Sequence, residues 1–149
     1  MIDAKELRIG DIVRMLDENG NLKPCKVVGV DMEICHNSKN RGFLQGAAHL
    51  RPFDLPDKDP SDSRWCVDIA PIPLTPEILE KNEWRNRKEF GEYWFIPRNE
   101  DYELLALDKI EDEYSIYIEE NCTNFDYIRY VHQLQHLLWA LGLNADMEI

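Results

Sequence analysis

Two histidines near the end of the chain have the spacing that metal sites on helices use. His132 and His136 lie four residues apart in a segment with helical periodicity, so both would project from one face. A metal site needs three or four ligands, and no third ligand has a matching spacing, although His49 could approach in the fold. The alternative is that both histidines and Gln133 form a polar helix face or donate hydrogen bonds to a neighbouring loop. We expect this alternative and predict no cofactor. His132 and His136 remain weak candidates for metal ligands.

Cys35 and His36 are adjacent in the sequence, and either could also approach such a metal site. A neighbouring imidazolium lowers the pKa of a thiol, which activates the sulfur as a nucleophile. Neighbours in a strand, however, point to opposite faces of the sheet. We therefore expect a buried Cys35 thiol and an exposed His36 imidazole at the end of a strand.

Motifs of known catalytic sites are absent from the sequence. The chain has no glycine-rich phosphate loop, no Gly-x-Ser-x-Gly segment and no quartet of zinc ligands. No pair of carboxylates stands out from the acidic background. The sequence therefore favours a protein that is not an enzyme, and a small metal-dependent enzyme is the last of three hypotheses.

Acidic residues are concentrated in the last third of the chain. The formal net charge is −12, and residues 99–149 carry twelve acids against Lys109 and Arg129. Such a surface repels phosphate backbones, so we expect no direct binding of DNA or RNA there. The acids could imitate the charge of a nucleic acid, or they could simply keep turns solvated and protect strand edges. The candidate acidic surface consists of Glu111, Asp112, Glu113, Glu119 and Glu120.

Aromatic and basic residues alternate in the middle of the chain. Aromatic side chains could line a groove for a peptide or a partner helix, but they also dominate protein cores. Acids between the basic residues dilute any nucleic-acid site. The candidate binding residues are Trp84, Trp94, Phe95, Arg85 and Arg87.

The elements that must position these residues begin with a predicted β-hairpin. Leu7 to Met15 alternates apolar and polar residues and is interrupted at Gly10-Asp11, which predicts a strand with a bend. Asn19-Gly20 predicts a tight turn, and the Val- and Ile-rich run from Cys25 to Cys35 predicts the second arm. Residues 37–46 and 52–63 have the composition of loops, and residues 65–69 alternate as a strand does.

The second half of the chain predicts a helix, a meander and another helix. Thr75-Pro76-Glu77 has the residue types of a helix N-terminus, which predicts a short helix to about Asn82. Three strand-like runs follow at 93–96, 104–107 and 114–118. The last run alternates apolar and polar residues, so we expect it to be buried on one side only. Residues 125–141 then show helical periodicity, with Thr123 or Asn124 as the cap and Gly142 at the end. We expect its apolar residues to form one leucine-rich stripe, which consists of Tyr127, Val131, Leu134, Leu138 and Leu141.

We therefore predict an α+β fold. A small antiparallel β-meander at the N-terminus is followed by a short helix and by a three-stranded antiparallel meander that a long C-terminal helix covers. The length of 149 residues fits a single compact domain, with possible lobes at 1–70 and 71–149.

The sequence also predicts a cytoplasmic protein. No window has the length and apolarity of a membrane span, and the first residues lack the features of a signal peptide. The four cysteines are scattered, which is typical of reduced thiols rather than of a disulfide framework. They are Cys25, Cys35, Cys66 and Cys122.

Four segments resemble a family of short proteins without an assigned biochemical role. They are LRIGDIV at residues 7–13, VVGV at 27–30, IPLTPEIL at 72–79 and YVHQLQHL at 130–137. The family is encoded in bacterial genomes, often of gut anaerobes, and in their phages and mobile elements. The first sixty or seventy residues also resemble a small SH3-like barrel, in which a bent strand with a Gly-Asp-x-Val sequence starts the meander.

The leading functional hypothesis is a non-enzymatic adaptor of a phage or mobile element that binds another protein. It rests on the family resemblance, on the missing catalytic motifs and on the supply of aromatic residues. The alternative is an inhibitor whose acidic C-terminal third enters the basic nucleic-acid groove of an enzyme.

Overall fold

The computed structural model divides into two compact units, Met1–Ile72 and Pro73–Ile149. It describes residues 2, 6–17, 19–34, 44–56, 62–65, 68–87, 94–97, 105–118, 121–122 and 127–149. The predicted single domain stays a prediction. Within these ranges the chain forms ten strands and two helices, so it is mostly β.

The first unit is a five-stranded antiparallel sheet. Its strands are β1 (Ile12–Leu16), β2 (Leu22–Ile34), β3 (Leu44–Pro52), β4 (Asp62–Trp65) and β5 (Ile69–Pro71). The strand order is β4-β3-β2-β1-β5. None of the pairings between described residues joins β4 to β5, so closure into an SH3-like barrel stays a prediction.

The predicted tight turn between the first two strands is confirmed. Leu16 pairs with Leu22, and Gly20 has a φ of 81°, a value that favours glycine. The Asp17 carboxylate accepts hydrogen bonds from the backbone N–H groups of Asn19 and Asn21, at 2.9 and 2.8 Å. The backbone N–H of Asn21 is the main reason that the pKa of Asp17 lies below its ordinary value. These bonds fix the turn at one end of the sheet.

The predicted bend at Gly10-Asp11 precedes the first strand instead of interrupting it. Gly10 has a φ of 104°, and β1 begins only at Ile12. The buried Asp11 carboxylate accepts a hydrogen bond from the Arg8 N–H at 2.7 Å, while the Asp11 carbonyl accepts one from Val27 at 2.8 Å. Asp11 therefore ties this turn to β2.

The core of the first unit follows the alternation of its strands. Val13 and Met15 on β1 lie on the same face as Cys25 and Val27 on β2, and all four are buried with Leu50 on β3. Cys25 is a buried thiol, as the sequence predicts. The opposite face of β1 carries Arg14 and Leu16, which are less buried.

The loops predicted at 37–46 and 52–63 are partly strands. β3 begins at Leu44 and β4 at Asp62. The β3 sequence, LQGAAHLRP, contains no β-branched residue, so it has little intrinsic preference for a strand. It is extended because the thirteen-residue β2 pairs with it along its whole length, with a bulge between Val27 and Gly29.

The second unit is a second five-stranded antiparallel sheet with two helices. Its elements are α1 (Pro76–Lys81), β6 (Trp84–Asn86), β7 (Trp94–Pro97), β8 (Leu105–Ile110), β9 (Glu113–Ile118), β10 (Asn121–Cys122) and α2 (Val131–Ala140). The strand order is β10-β9-β8-β7-β6. The three predicted strands correspond to β7, β8 and β9, and the sequence missed β6 and β10.

The α+β prediction is wrong, because the described residues are mostly β and form only two short helices. The three predicted strands pair as expected, but they belong to a five-stranded sheet. α2 has only ten residues, and its predicted start at Phe125 lies outside the described residues. Ile128 exchanges two backbone hydrogen bonds with Tyr114 of β9, and Tyr130 forms a bridge with Pro73. These pairings hold residues 128–130 extended and delay the helix. Gly142 ends it as predicted, at a φ of 72°.

The predicted first helix is confirmed as α1. The Thr75 hydroxyl accepts a long hydrogen bond from Ile78 N at 3.4 Å, and Pro76 occupies the first turn. The Thr75 side chain also bonds to Glu77, which is the main reason that the pKa of Glu77 is lowered. Asn82 ends the helix, and Glu83 follows with a φ of 64°.

The buried face of α2 differs from the predicted leucine stripe. Val131, Leu134 and Leu138 are buried, whereas Tyr127 and Leu141 are exposed. The polar residues His132 and Gln135 are buried as well. The prediction that one face of the helix is entirely polar is therefore wrong for His132.

Candidate functional site

Four exposed apolar side chains lie in or beside two turns of the first unit. Leu16 and Leu22 are directly opposite each other at the hairpin end, so their side chains share one face. Phe53 and Leu55 lie in the turn that follows β3. These four side chains, which we call the apolar patch, are each between 42% and 53% exposed.

An ionic contact brings the turn after β3 to the same end of the sheet as the hairpin. Lys23, next to Leu22, has its ammonium 3.9 Å from the Asp17 carboxylate and 3.9 Å from the Asp54 carboxylate. Asp54 lies between Phe53 and Leu55 in this turn. A hydrogen bond from Leu55 N to Pro52 O, at 3.2 Å, closes the turn. The exposed Lys23–Asp54 pair adds little stability by itself, but it marks the proximity of the two turns.

The apolar patch is suited to protein binding rather than to chemistry. Large apolar groups leave water favourably when a partner covers them, at about 25 cal/mol for each Å² buried. Single exposed apolar residues are ordinary, whereas a cluster with a polar rim is typical of an interaction surface. Asp17, Lys23 and Asp54 are charged residues in or beside the same two turns. The bonds within the hairpin turn also hold its part of the surface in place before binding, which lowers the ordering cost.

The sequence-predicted aromatic residues lie mainly inside the second unit. Trp84 and Phe95 are buried, and Phe95 makes an edge-to-face contact with the Tyr114 ring at 6.2 Å. Trp94 lies on β7 opposite Asp108. Pairing of β6 with β7 therefore brings the predicted segments together, but it places two of the aromatic rings in the core.

The predicted basic residues lie on and beside the edge strand β6. Arg85 is exposed on β6 opposite Ile96, and Arg87 is half-buried just after the strand. Their guanidinium groups lie near Trp84 in sequence, but Trp84 offers almost no surface on which a base or peptide could stack. The binding groove predicted at these residues stays a prediction. The burial of Trp84 does not favour it.

The predicted acidic surface is centred on the turn between β8 and β9. Glu111 and Asp112 are exposed at this turn, and Glu111 has a φ of 55°. Glu113 is half-buried and forms an ion pair with Arg129, and the Lys109 ammonium donates to the Glu111 carbonyl. Glu119 and Glu120 lie outside the described residues. Two cations thus sit close to the described part of this surface and reduce its local negative charge.

His132 and His136 approach each other without forming a recognisable metal centre. The His132 ring stacks on the Tyr130 ring at 5.9 Å and meets the His136 ring edge-on at 5.8 Å. In the part of the chain that the structure describes, no group of three or more metal-ligating side chains occurs. The other candidate ligands Cys35 and His36 lie outside that part, and His49 lies in the first unit.

His49 is instead engaged within the first sheet. Its Nε2 atom lies 3.0 Å from the Asp31 carboxylate, and its ring packs against Gly29 of the neighbouring strand. A β-carbon at Gly29 would lie 2.9 Å from His49 Cδ2, so the absence of a side chain there makes room for the imidazole. This pair fixes the ring beside β2.

Two titratable groups in the second sheet have altered acidity. Burial raises the pKa of Asp108, which lies opposite Ser115. Burial, with a smaller contribution from Glu77, raises the pKa of the Tyr114 hydroxyl. That hydroxyl is buried and has no hydrogen-bond partner among the described residues. Ser115 is buried as well, so the prediction that β9 is buried on one side only is wrong.

Sequence reasoning missed the apolar patch altogether. The sequence assigned no role to Leu16 and Leu22 beside the predicted turn, and residues 52–63 have the composition of a loop. The usable signal was local, since two leucines flank the Asn19-Gly20 turn and two more apolar residues flank Asp54.

Comparisons with known proteins do not assign the chain to a family. No protein-family model, no curated protein and no solved structure matches it. A separate search of the described residues finds no helix that is long and apolar enough to cross a membrane.

Proposed function

We propose that the protein is a non-enzymatic adaptor that binds another protein through the apolar patch. The observation that carries this proposal is that four apolar side chains, each about half exposed, lie in or beside two turns that the Lys23–Asp54 contact brings close together. They are Leu16, Leu22, Phe53 and Leu55. Burial of these side chains by a partner would supply the favourable free energy, and the charged groups around Lys23 would orient the partner. An origin in a phage or mobile element is part of the proposal and rests on the family resemblance alone.

The chemistry of the surface indicates what the partner presents. Apolar side chains must fill the space over the four residues of the patch. The Asp54 carboxylate, whose side chain is 67% exposed, can accept a hydrogen bond from a donor at the edge of the interface. Scattered cysteines and a buried Cys25 thiol agree with binding in a reducing cytoplasm, which we also propose.

A comparison of two surface variants tests the proposal. Tagged protein is recovered from cells that express it natively, and bound proteins are quantified by mass spectrometry. The double variant Leu16→Ser/Leu22→Ser should lose the bound partner, because a polar group replaces each apolar contact. The control Ile9→Ser, at a residue that is also exposed but lies before β1, should retain it. Equal recovery by the two variants contradicts the proposal.

A second candidate function is inhibition of a nucleic-acid enzyme by charge mimicry. The exposed carboxylates of Glu111 and Asp112 at the tip of the β8–β9 turn favour it. Binding by this surface would weaken strongly with added salt, whereas binding by the apolar patch would not. Neutralising Glu111→Gln/Asp112→Asn would separate the two, since only charge mimicry requires these groups.

A further inference from the structure

The segment after α2 is bound along the second unit as an extended peptide. Its side chains alternate, with Leu143, Ala145, Met147 and Ile149 more buried than the residues between them. Met147 is the deepest of these and is 7% exposed. Alternation of this kind is the pattern of a strand that lies on a surface. We call residues 143–149 the post-helix segment.

Side chains, rather than a neighbouring strand, satisfy the backbone of this segment. The Asn82 side-chain amide donates to the Glu148 carbonyl at 2.7 Å and accepts from the Glu148 N–H at 2.8 Å. The Lys81 ammonium donates to the Ile149 backbone oxygen at 2.9 Å, and the Gln135 amide donates to the Ala145 carbonyl at 3.0 Å. Lys81, Asn82 and Gln135 form the peptide site.

The polar residues of this site bind the backbone of the segment rather than its side chains. Asn82 offers one donor and one acceptor to a single residue, as the edge of a sheet does in β-strand addition. All four of these bonds go to backbone atoms, so any extended segment with suitable apolar side chains can make them. The Asn82 amide also donates to the Ile78 carbonyl at 2.8 Å, which fixes its orientation at the end of α1.

We propose that the second unit carries a peptide-binding site at Lys81, Asn82 and Gln135, which the post-helix segment occupies in competition with an extended peptide of a partner protein. The partner peptide has apolar side chains at every second position, as residues 143, 145, 147 and 149 do. This site is independent of the apolar patch, so an adaptor with both could engage two proteins.

A labelled peptide with the sequence of residues 142–149 probes the site directly. The attached segment competes at an effective concentration of about a millimolar, so the unaltered protein should not bind micromolar peptide. Met147→Ser removes the buried anchor of the segment, and Glu148→Pro removes the N–H that Asn82 accepts. Each variant releases the segment, leaves every residue of the site unchanged and should bind the peptide about tenfold or more tightly than the unaltered protein.

Control peptides and variants establish how binding occurs. A peptide that is N-methylated at the position of Glu148 cannot donate to Asn82, and it should bind about tenfold more weakly or worse. Glu148→Gln changes only an exposed side chain and should behave as the unaltered protein does. The Leu16→Ser/Leu22→Ser variant should leave peptide binding unchanged, so failure of this proposal is distinguishable from failure of the adaptor proposal.

Two results would overturn the inference. One is that both released variants, shown to be folded by circular dichroism, fail to bind the peptide or bind the N-methylated peptide equally well. The other needs no variant: in the unaltered protein, the Glu148 amide must exchange with deuterium more slowly than an exposed amide. A fully unprotected Glu148 amide would mean that the Asn82 contact does not form in solution.

Discussion

The buried hydroxyl of Tyr114 destabilises the folded state. Its ring is buried against Phe95, but its hydroxyl has no hydrogen-bond partner among the described residues. A buried polar group without a partner destabilises the folded state by about 1–3 kcal/mol. Tyr114→Phe should therefore raise the free energy of unfolding by about 1 kcal/mol or more, as measured by urea denaturation. Tyr127→Phe, at an exposed ring, should leave it unchanged, and a clear loss of stability in Tyr114→Phe would contradict the assignment.

Asp108 provides a pH-dependent test in the same sheet. Burial raises the pKa of its carboxyl above the ordinary value of 3.8, so the folded state holds this proton more tightly than the unfolded state does. The ionised carboxylate therefore destabilises the folded state at neutral pH. This destabilisation disappears once the pH falls below the pKa that the carboxyl has in the unfolded state.

The variant Asp108→Asn should then melt at a higher temperature than the unaltered protein at pH 7. The difference should shrink as the pH falls and be absent below about pH 4, where both states are protonated. Melting curves across this range measure it. Asp112→Asn, at an exposed turn residue, serves as the matched control, and a pH-independent gain in Asp108→Asn would contradict the explanation by burial.

At the scale of elements, the β8–β9 turn holds a residue other than glycine, Glu111, at a positive φ. Glu111 has a φ of 55°, in the left-handed region that favours glycine. Glu111→Gly should stabilise the protein by about 1 kcal/mol, because the backbone already has the conformation that glycine adopts without strain. Asp112→Gly, at the next residue, should destabilise it. Thermal denaturation distinguishes the two, and equal effects would mean that the strain at Glu111 is not real.

Elements with local signals could be predicted, and elements that depend on distant partners could not. Thr75-Pro76 specifies the start of α1, and Asn19-Gly20 specifies the first hairpin, because capping and turn geometry depend on adjacent residues. β3 depends on pairing with β2, and the extended residues 128–130 depend on Tyr114 and Pro73. Neither partner is visible in the local sequence, so the sequence indicated a loop and a longer helix.

The same distinction explains the candidate site. Leu16 and Leu22 have the residue type of inward positions, and their exposure follows from which elements cover the end of the sheet. The burial of Trp84 and Phe95 follows from the pairing of β6 with β7, which the sequence did not predict. The residue types thus indicated which apolar and aromatic side chains could bind a partner, but they did not show which of these side chains are exposed.

At the scale of the whole chain, charge is divided unequally between the two units. Residues 1–72 carry twelve acids and ten bases, whereas residues 73–149 carry seventeen acids and seven bases. The apolar patch therefore lies in a nearly neutral unit, where a partner of either charge can approach. Binding at this patch should depend weakly on salt and should show a negative change in heat capacity, as burial of apolar surface does.

The measurement that tests the adaptor proposal most directly is site-specific photocrosslinking in cells that express the protein natively. A photoreactive amino acid replaces Leu22 in the apolar patch or, as the control, Ile9, which is also exposed but lies before β1. We expect a discrete protein adduct from position 22 and none from position 9. No adduct at position 22, or the same adducts from both positions, would contradict the assignment of the apolar patch as the binding surface.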